Sequence, residues 1–533
     1  MNREKQVVAA FFALFLLVGV SVYKDYGISA DEETNRTNGL LSFNYVFRGD
    51  KTLLSYRDRD YGVAFELPLF AMEKIAGLSY PEDSRVIYLL RHLFTFLGFY
   101  LGVFFFFLLC RKECNSTTMG LAGAAFLVMT PRIFADAFYN SKDIIFMSAF
   151  IAAVYTMEMY LEKRGLRWAA VHAFACAFLF GVRIVGGFVV AMTILFFSLR
   201  LMGALRPGRI FEGMKPLIAY VMLFSFLATL FWPASWQNPL DTLVYAIQRA
   251  GRFPWGGYIV YLGGIVKGTE VPWHYIPVWI TVSTPPFYLL LFITGIFVII
   301  KECAQKTART ALNQRTLRNL IWLIMPPLAV ILLKSIVYDG WRHLFFIYPA
   351  MLLVSLMGLS YLFHLGVDAV RNVLPVRNTS YKFRLLPQAV ICLVVFLGLL
   401  PTAQFMIENH PHQNVYFNFL TGDGMRNAKD NFELDYWGLS YRRGLEYVLQ
   451  KDARDVIKVK VMMYPGVLNR YILPRGDKRR IVYTNDIDDA DYILGEYREM
   501  IGDYPFKNEV YSIRVGEVRI MSVFASPRER EGD

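Results

Sequence analysis

A series of apolar stretches constrains this chain most, because an α-helix needs about 20 residues to cross roughly 30 Å of hydrocarbon. The clearest run from Val7 to Tyr23, Leu89 to Cys110, Asp143 to Leu161, Pro277 to Ile300, Leu344 to Phe363 and Leu386 to Leu400. Further stretches near Leu121, Val171, Ile184, Leu217 and Leu320 bring the expected number of spans to about eleven. With 55% hydrophobic and 16% aromatic residues among 533, and only 19% charged, a soluble fold would need an improbably large apolar core. The chain therefore reads as an α-helical polytopic membrane protein.

The formal charge of +12 is topological in origin. Arg3, Lys5, Arg111, Lys112, Lys163, Arg164, Arg167, Arg200, Arg206, Arg209, Lys215 and the stretches Lys301 to Arg318 and Arg371 to Arg384 occupy alternate loops. Cations concentrate on the cytoplasmic side of membrane proteins, so these loops face inward, and an odd number of spans leaves the C-terminus outside. No nucleic-acid partner is implied. Ile28-Ser29-Ala30 loosely resembles a signal-peptide cleavage site, but cleavage would remove a cytoplasmic end that fits the charge pattern and detach Asp31 from its helix. The five cysteines, Cys110, Cys114, Cys176, Cys303 and Cys392, fall in spans or inward loops, so no disulfide is expected.

Residues 1–403 form the expected membrane domain, with outside loops at 24–84 and 234–275. In the first loop, Glu33 to Phe47 and Val63 to Leu78 show the apolar spacing of interfacial helices. The second holds a helical stretch from Pro239 to Arg249 and the aromatic stretch RFPWGGYIVYLGG. Residues 404–533 change character, with strands at Val456 to Met463 and Ile481 to Thr484, a helix at Tyr441 to Asp452 and a hairpin within Val510 to Phe524. This is a small α/β domain outside the membrane, with packing as its simplest role.

Ionisable groups at the ends of spans are costly unless something uses them. Asp31, Glu32 and Glu33 follow the first span, and Asp136, Lys142 and Asp143 lie between the third and fourth, on the same outer face. As plain structure, the first group complements a helix dipole and Asp143 opens a span beside Ser141. Arg183 and the Arg342-His343 pair also sit at outer turns. Arginine pairs well with phosphate, but it also reaches lipid headgroups or pairs with neighbours such as Asp339 or Asp136. His274 and His343 also fit as hydrogen-bonding aromatics at the interface. A transporter would use intramembrane charge too, but near the bilayer midplane and with broken helices, which are not apparent here.

The order of these motifs resembles the GT-C superfamily of polyprenyl-phosphate-dependent glycosyltransferases, in particular the protein O-mannosyltransferase family (glycosyltransferase family 39) and its bacterial relatives. Asp31-Glu32 resembles the acidic motif of that family's first external loop. Asp143, in NSKDIIFMSAF, matches the acid opening the fourth span, and VPWHYIPVWITVSTPP and YDGWRHLFFIYP look like bacterial members. FELDYWGLSYRRGLEYV resembles a C-terminal tail found in some of them. The resemblance implies a GT-C type fold in a bacterial inner membrane and inverting transfer of mannose or a similar sugar to an acceptor hydroxyl outside the cytoplasm. It gives Asp31 and Glu32 as catalytic acids, Asp143 as an acceptor or metal ligand, and Lys142, Arg183, Arg342 and His343 as donor-phosphate contacts. Metal use stays open, with Asp31 and Asp143 as the pair for a divalent cation. The implied partners are a polyprenyl-phosphate sugar, the bilayer, and a glycan, lipid or protein acceptor. No soluble domain of the kind eukaryotic protein O-mannosyltransferases insert between spans is present, so a protein acceptor is not specifically indicated.

Overall fold

In a computed structural model, residues 3–204, 210–251, 255–304, 314–373, 381–422 and 424–526 are described. Arg206, Arg209, Arg252 to Pro254, and parts of the basic stretches at 301–318 and 371–384 lie outside the described residues.

Helix α1 (Arg3–Val22) leads to α2 (Glu32–Arg48), the short α3 (Thr52–Ser55) and α4 (Glu66–Ile75), so both stretches with interfacial spacing are helical. Next come α5 (Ser84–Cys114), α6 (Thr117–Val128) and α7 (Pro131–Tyr139). Between α6 and α7 the chain bends by 69°. Pro131 opens α7, and the Thr130 before it is extended, the conformation that proline favours in its predecessor. Helices α8 (Asp143–Lys163), α9 (Leu166–Val182), α10 (Gly187–Ala204) and α11 (Ile210–Leu230) follow. The segment after α11 then forms α12 (Pro239–Gly251) and a hairpin of β1 (Tyr258–Tyr261) with β2 (Gly264–Lys267). Helix α13 (Tyr275–Ser283) precedes the last spans, α14 (Pro286–Ala304), α15 (Gln314–Leu332), α16 (Tyr348–Val373) and α17 (Tyr381–Glu408).

Nine described helices are long and apolar enough to cross a membrane, or ten if α6 and α7 make one bent span. Helix α9, with 17 residues, is a shorter apolar helix. The expected count of about eleven is reached only when both the bent pair and α9 are added to the nine. Burial separates the helices into layers: 83% of the apolar window of α8 and of α16 is buried, against 17% for α1 and 11% for α11. The two central helices are the ones whose first residues, or the turn just before them, carry Asp143 and Arg342. Packing around them is close. A Cβ at Gly358 would lie 2.0 Å from Leu291 O, and one at Gly295 would lie 2.1 Å from Val354 O, so glycines on both helices let α14 and α16 touch backbone to backbone. At the other end of α8, Glu158 receives both arms of the fully buried Arg318 of α15, at 2.5 and 2.7 Å.

Beyond α17 lie α18 (Met425–Asn431), α19 (Tyr441–Lys451), α20 (Pro465–Leu468) and α21 (Arg475–Arg480) around a five-stranded sheet. Its strands are β3 (Ile457–Val461), β4 (Ile481–Tyr483), β5 (Tyr492–Glu496), β6 (Glu509–Val515) and β7 (Val518–Ala525), in the order β4-β3-β5-β7-β6. β3 runs parallel to β4 and β5, and the other pairs are antiparallel. Gly516, at φ 57°, supplies the left-handed residue of the tight β6–β7 turn. The sheet domain is docked firmly on the helices. Asn469 exchanges hydrogen bonds with Ile28, accepting from its N–H at 2.9 Å and donating to its carbonyl at 3.0 Å, while Ala30 N donates to Trp437 O at 3.2 Å.

Candidate active site at one end of the helix bundle

The helix-end charges converge where α1 and α9 finish and α8 and α16 begin. Asp31 is the N-cap residue of α2, and its side chain is 40% exposed. Glu32, one residue on, points elsewhere. Its carboxylate accepts from Ser29 N at 2.7 Å and pairs with His92 Nε2 at 3.0 Å, in a buried setting. Successive helical residues are about 100° apart around the axis, so two adjacent acids do not serve one small site.

The corner between α7 and α8 is built on Asn140. Its Oδ1 accepts from Asp143 N at 2.9 Å, and its Nδ2 donates to both Asp136 and Asp143 at 3.0 Å. Asp136 also accepts from the Tyr139 hydroxyl at 2.5 Å and from Trp437 Nε1 at 3.2 Å, and it is buried. Its bonds are thus structural, tying the corner to the C-terminal domain. Asp143 takes an arginine on each oxygen: Arg183, from the turn after α9, and Arg342 Nη1 at 3.1 Å. The same Nη1 lies 3.1 Å from Asp31 Oδ2, and Arg342 Nη2 lies 3.1 Å from Asp339 Oδ2. Arg342 is 2% exposed, and its partners in this structure are these carboxylates. Asp339 was legible as a neighbour that Arg342 could reach, three residues back; its position comes from an Asp339-Gly340 turn with φ of 56° and 70°, the left-handed pair that Asp-Gly sequences favour.

Lys142 places its ammonium 3.0 Å from the centroid of the Tyr61 ring. Burial, then repulsion by Arg183, pushes it down to about 7 against the pull of Asp31 and Asp143. His343 is half-buried with its ring edge-on to Tyr338, 4.9 Å away, and its Nδ1 has no hydrogen-bond partner among the described residues. His274 accepts or donates at 2.6 Å to the Tyr261 hydroxyl, part of the packing of the β1–β2 hairpin on α13. The site thus brings together Asp31, Asp143, Lys142, Arg183 and Arg342, with His343 alongside, and leaves Glu32 apart.

Three contributors were not singled out in the sequence: Tyr61 under Lys142, Trp437 over the Arg342 guanidinium at 4.6 Å, and Arg498, whose Nη2 donates to Asp339 Oδ1 at 2.7 Å. Only the tail motif containing Trp437 carried any signal. Asp31 and Asp143 do not present a cradle for a divalent cation, since Arg342 Nη1 bridges their oxygens, and no group of three or more His, Cys, Asp or Glu suited to a metal is found among the described residues.

No protein-family model and no curated protein sequence matches this chain. Among solved structures, ArnT from Cupriavidus metallidurans bound to undecaprenyl phosphate matches with 14% identity over 97% of this chain and 98% of that one, at a TM-score of 0.49. The oligosaccharyltransferase of Archaeoglobus fulgidus tethered to an acceptor peptide is more distant, at 10% identity, a TM-score of 0.42, and coverage of 92% of this chain and 69% of that one. The apo state of the same ArnT gives a TM-score of 0.50 at 13% identity, covering 97% and 98% of the two chains. The chain has the fold class expected from its sequence, a GT-C type helical membrane bundle with a small C-terminal sheet domain.

Proposed function

We propose that this chain is a membrane glycosyltransferase that moves mannose or a similar sugar from a polyprenyl-phosphate donor to an acceptor hydroxyl, on the non-cytoplasmic face of a bacterial inner membrane. The observation that carries this reading is Arg342 Nη1, shared at 3.1 Å by a partly exposed carboxylate, Asp31, and a buried one, Asp143. A base that meets a substrate must be reachable, whereas carboxylates that orient cations must be fixed. The side chain of Asp31 is 40% exposed, against 1% for Asp143 and 5% for Asp339. Reaction and orientation are thereby divided among three acids. ArnT, whose apo structure shares this fold, has been crystallised with undecaprenyl phosphate, and this reading takes a carrier of that kind as the donor.

In this reading the donor phosphate lies against Arg342, Arg183 and Lys142, with His343 beside them. Asp31 takes the proton of the acceptor hydroxyl as its oxygen attacks the anomeric carbon. The bond from that carbon to the phosphate oxygen breaks on the opposite side, so the anomeric configuration inverts. The electron pair leaves on the phosphate, where the cations stabilise it. Asp143 holds Arg183 and Arg342 in place and borders the acceptor. A glycan, lipid or protein supplies the hydroxyl.

The test is mass spectrometry of glycolipids and glycoproteins from cells lacking the chain. Loss of a sugar-sized increment, restored by the wild-type chain and not by Asp31→Asn, supports the reading. An unchanged glycan profile in the deletion strain would overturn it.

A further inference from the structure

We infer that Arg498 of the C-terminal domain is a positioning residue for the active site, acting through Asp339 on Arg342; the inference rests on the glycosyltransferase reading above. Asp339 takes an arginine on each carboxylate oxygen, Arg498 Nη2 at 2.7 Å and Arg342 Nη2 at 3.1 Å. A carboxylate held on both sides cannot rotate freely, and its backbone is fixed as well, in a left-handed turn whose Gly340 N donates to the Tyr275 hydroxyl at 3.1 Å. The guanidinium of Arg342 is then set in two ways. Nη2 is tied to Asp339, which leaves Nη1 facing Asp31 and Asp143, and the guanidinium carbon lies over the rings of Trp437 at 4.6 Å and of Tyr338 at 5.2 Å.

Behind Arg498 the domain places further carboxyls. Glu433 and Glu499 each lie 3.8 Å from Arg498 Nε, and neither oxygen of the buried Glu433 or Glu496 has a hydrogen-bond partner among the described residues. Burial raises the carboxyls of Glu433 and Glu496 well above the usual range, while Arg498 pulls them back. Burying ionisable carboxyls without hydrogen-bond partners in this way costs stability that an apolar contact would not. A domain that served only as packing would have no use for it; a domain that must orient a phosphate-binding arginine does. Without Arg498, Asp339 regains its freedom and draws Arg342 away from the edge facing Asp31.

The full chain in nanodiscs provides the test, with undecaprenyl phosphate alone as the binding probe and donor KM and kcat measured separately. Arg498→Met should weaken undecaprenyl phosphate binding and raise donor KM by roughly tenfold or more, the order expected when a buried charge pair loses one partner. Arg498→Lys should recover part of both, because it keeps the charge without the fork. In an Asp339→Asn background, Arg498→Met should add less than about twofold, since the two residues act in series. Equal binding by wild type, Arg498→Met and Arg498→Lys would overturn the role, as would losses that multiply in the double variant. Should Arg498→Met fail to fold, Arg498→Lys alone and in the Asp339→Asn background decides by the same criterion. A wild-type chain that binds no polyprenyl phosphate overturns the glycosyltransferase reading itself, a result distinct from one in which wild type binds and Arg498→Met binds equally.

Discussion

Asp31 Oδ2 and Arg342 Nη1 lie 3.1 Å apart although 311 positions separate them in sequence. The acid proposed as base is therefore engaged, in this state, by the cation proposed for the donor phosphate. In the proposed reading, a phosphate arriving at Arg342 would compete for the same nitrogen and release Asp31 toward the acceptor, so donor binding would precede activation of the base.

Asp31→Asn keeps the shape of the side chain and removes its basicity. General-base contributions of about 10² to 10⁴ in rate set the expected loss, with insertion and melting temperature close to wild type. Asp136→Asn is the comparison. Its carboxylate receives Tyr139, Asn140 and Trp437, so an amide there should lower stability by about 1–3 kcal/mol while most transfer activity remains. Wild-type transfer by the Asp31 variant, or collapse of kcat alone in the Asp136 variant, would reverse the assignment.

Arg342→Ala should impair donor use more than Arg342→Lys. The alanine leaves Asp31, Asp143 and Asp339 without their shared partner, whereas lysine retains a point charge and loses only the fork. Donor KM is the measurement. Near-native values for both variants would remove Arg342 from the phosphate site.

The Lys142 ammonium, pushed down to about 7, is charged below that pH and neutral above it. Donor affinity should therefore fall as pH rises from 6 to 8, by up to about tenfold one unit past the midpoint. Lys142→Arg should flatten this profile. The stability effect has the opposite sign. A lysine whose folded value lies below its unfolded value costs most at low pH, and the cost shrinks as pH rises from about 7 toward 10. Lys142→Met should melt higher than wild type below pH 7, and the gap should narrow above it.

Much of the helical framework is legible because the apolar runs are long and their flanking charges alternate. Asp31, Asp143, Arg183 and Arg342 could be gathered on one face by counting spans, without any knowledge of packing. Adjacent Glu32 could not be placed, since only the rotation of α2 and the partner His92 turn it away. Strand β5 went unread because it is five residues long and bracketed by Asp489, Asp491 and a buried Glu496, an acidic composition that conceals a central strand. Trp437 and Arg498 reach the site through the docking of a separate domain, and no local pattern records which residues that docking buries.

Impermeant cysteine labelling checks the orientation. In a background without the five native cysteines, a cysteine at Asn485 in the C-terminal domain should react in intact cells, and one at Thr310, between α14 and α15, should not. The reverse pattern would put the acidic end of the bundle in the cytoplasm.

The dispersal of the site along the chain also governs when it comes into being. A nascent polypeptide inserts Asp31 and Asp143 long before the ribosome reaches Arg342, and Asp339 then waits for Arg498, 159 residues later. At about 5–20 residues per second, that wait is roughly 10–30 s. Throughout it, these carboxylates stand without their full set of partners, and a prematurely terminated product lacks the Asp339–Arg498 pair. In the proposed reading, carrier-lipid turnover would therefore wait for synthesis of the C-terminal domain that brings Arg498 to Asp339.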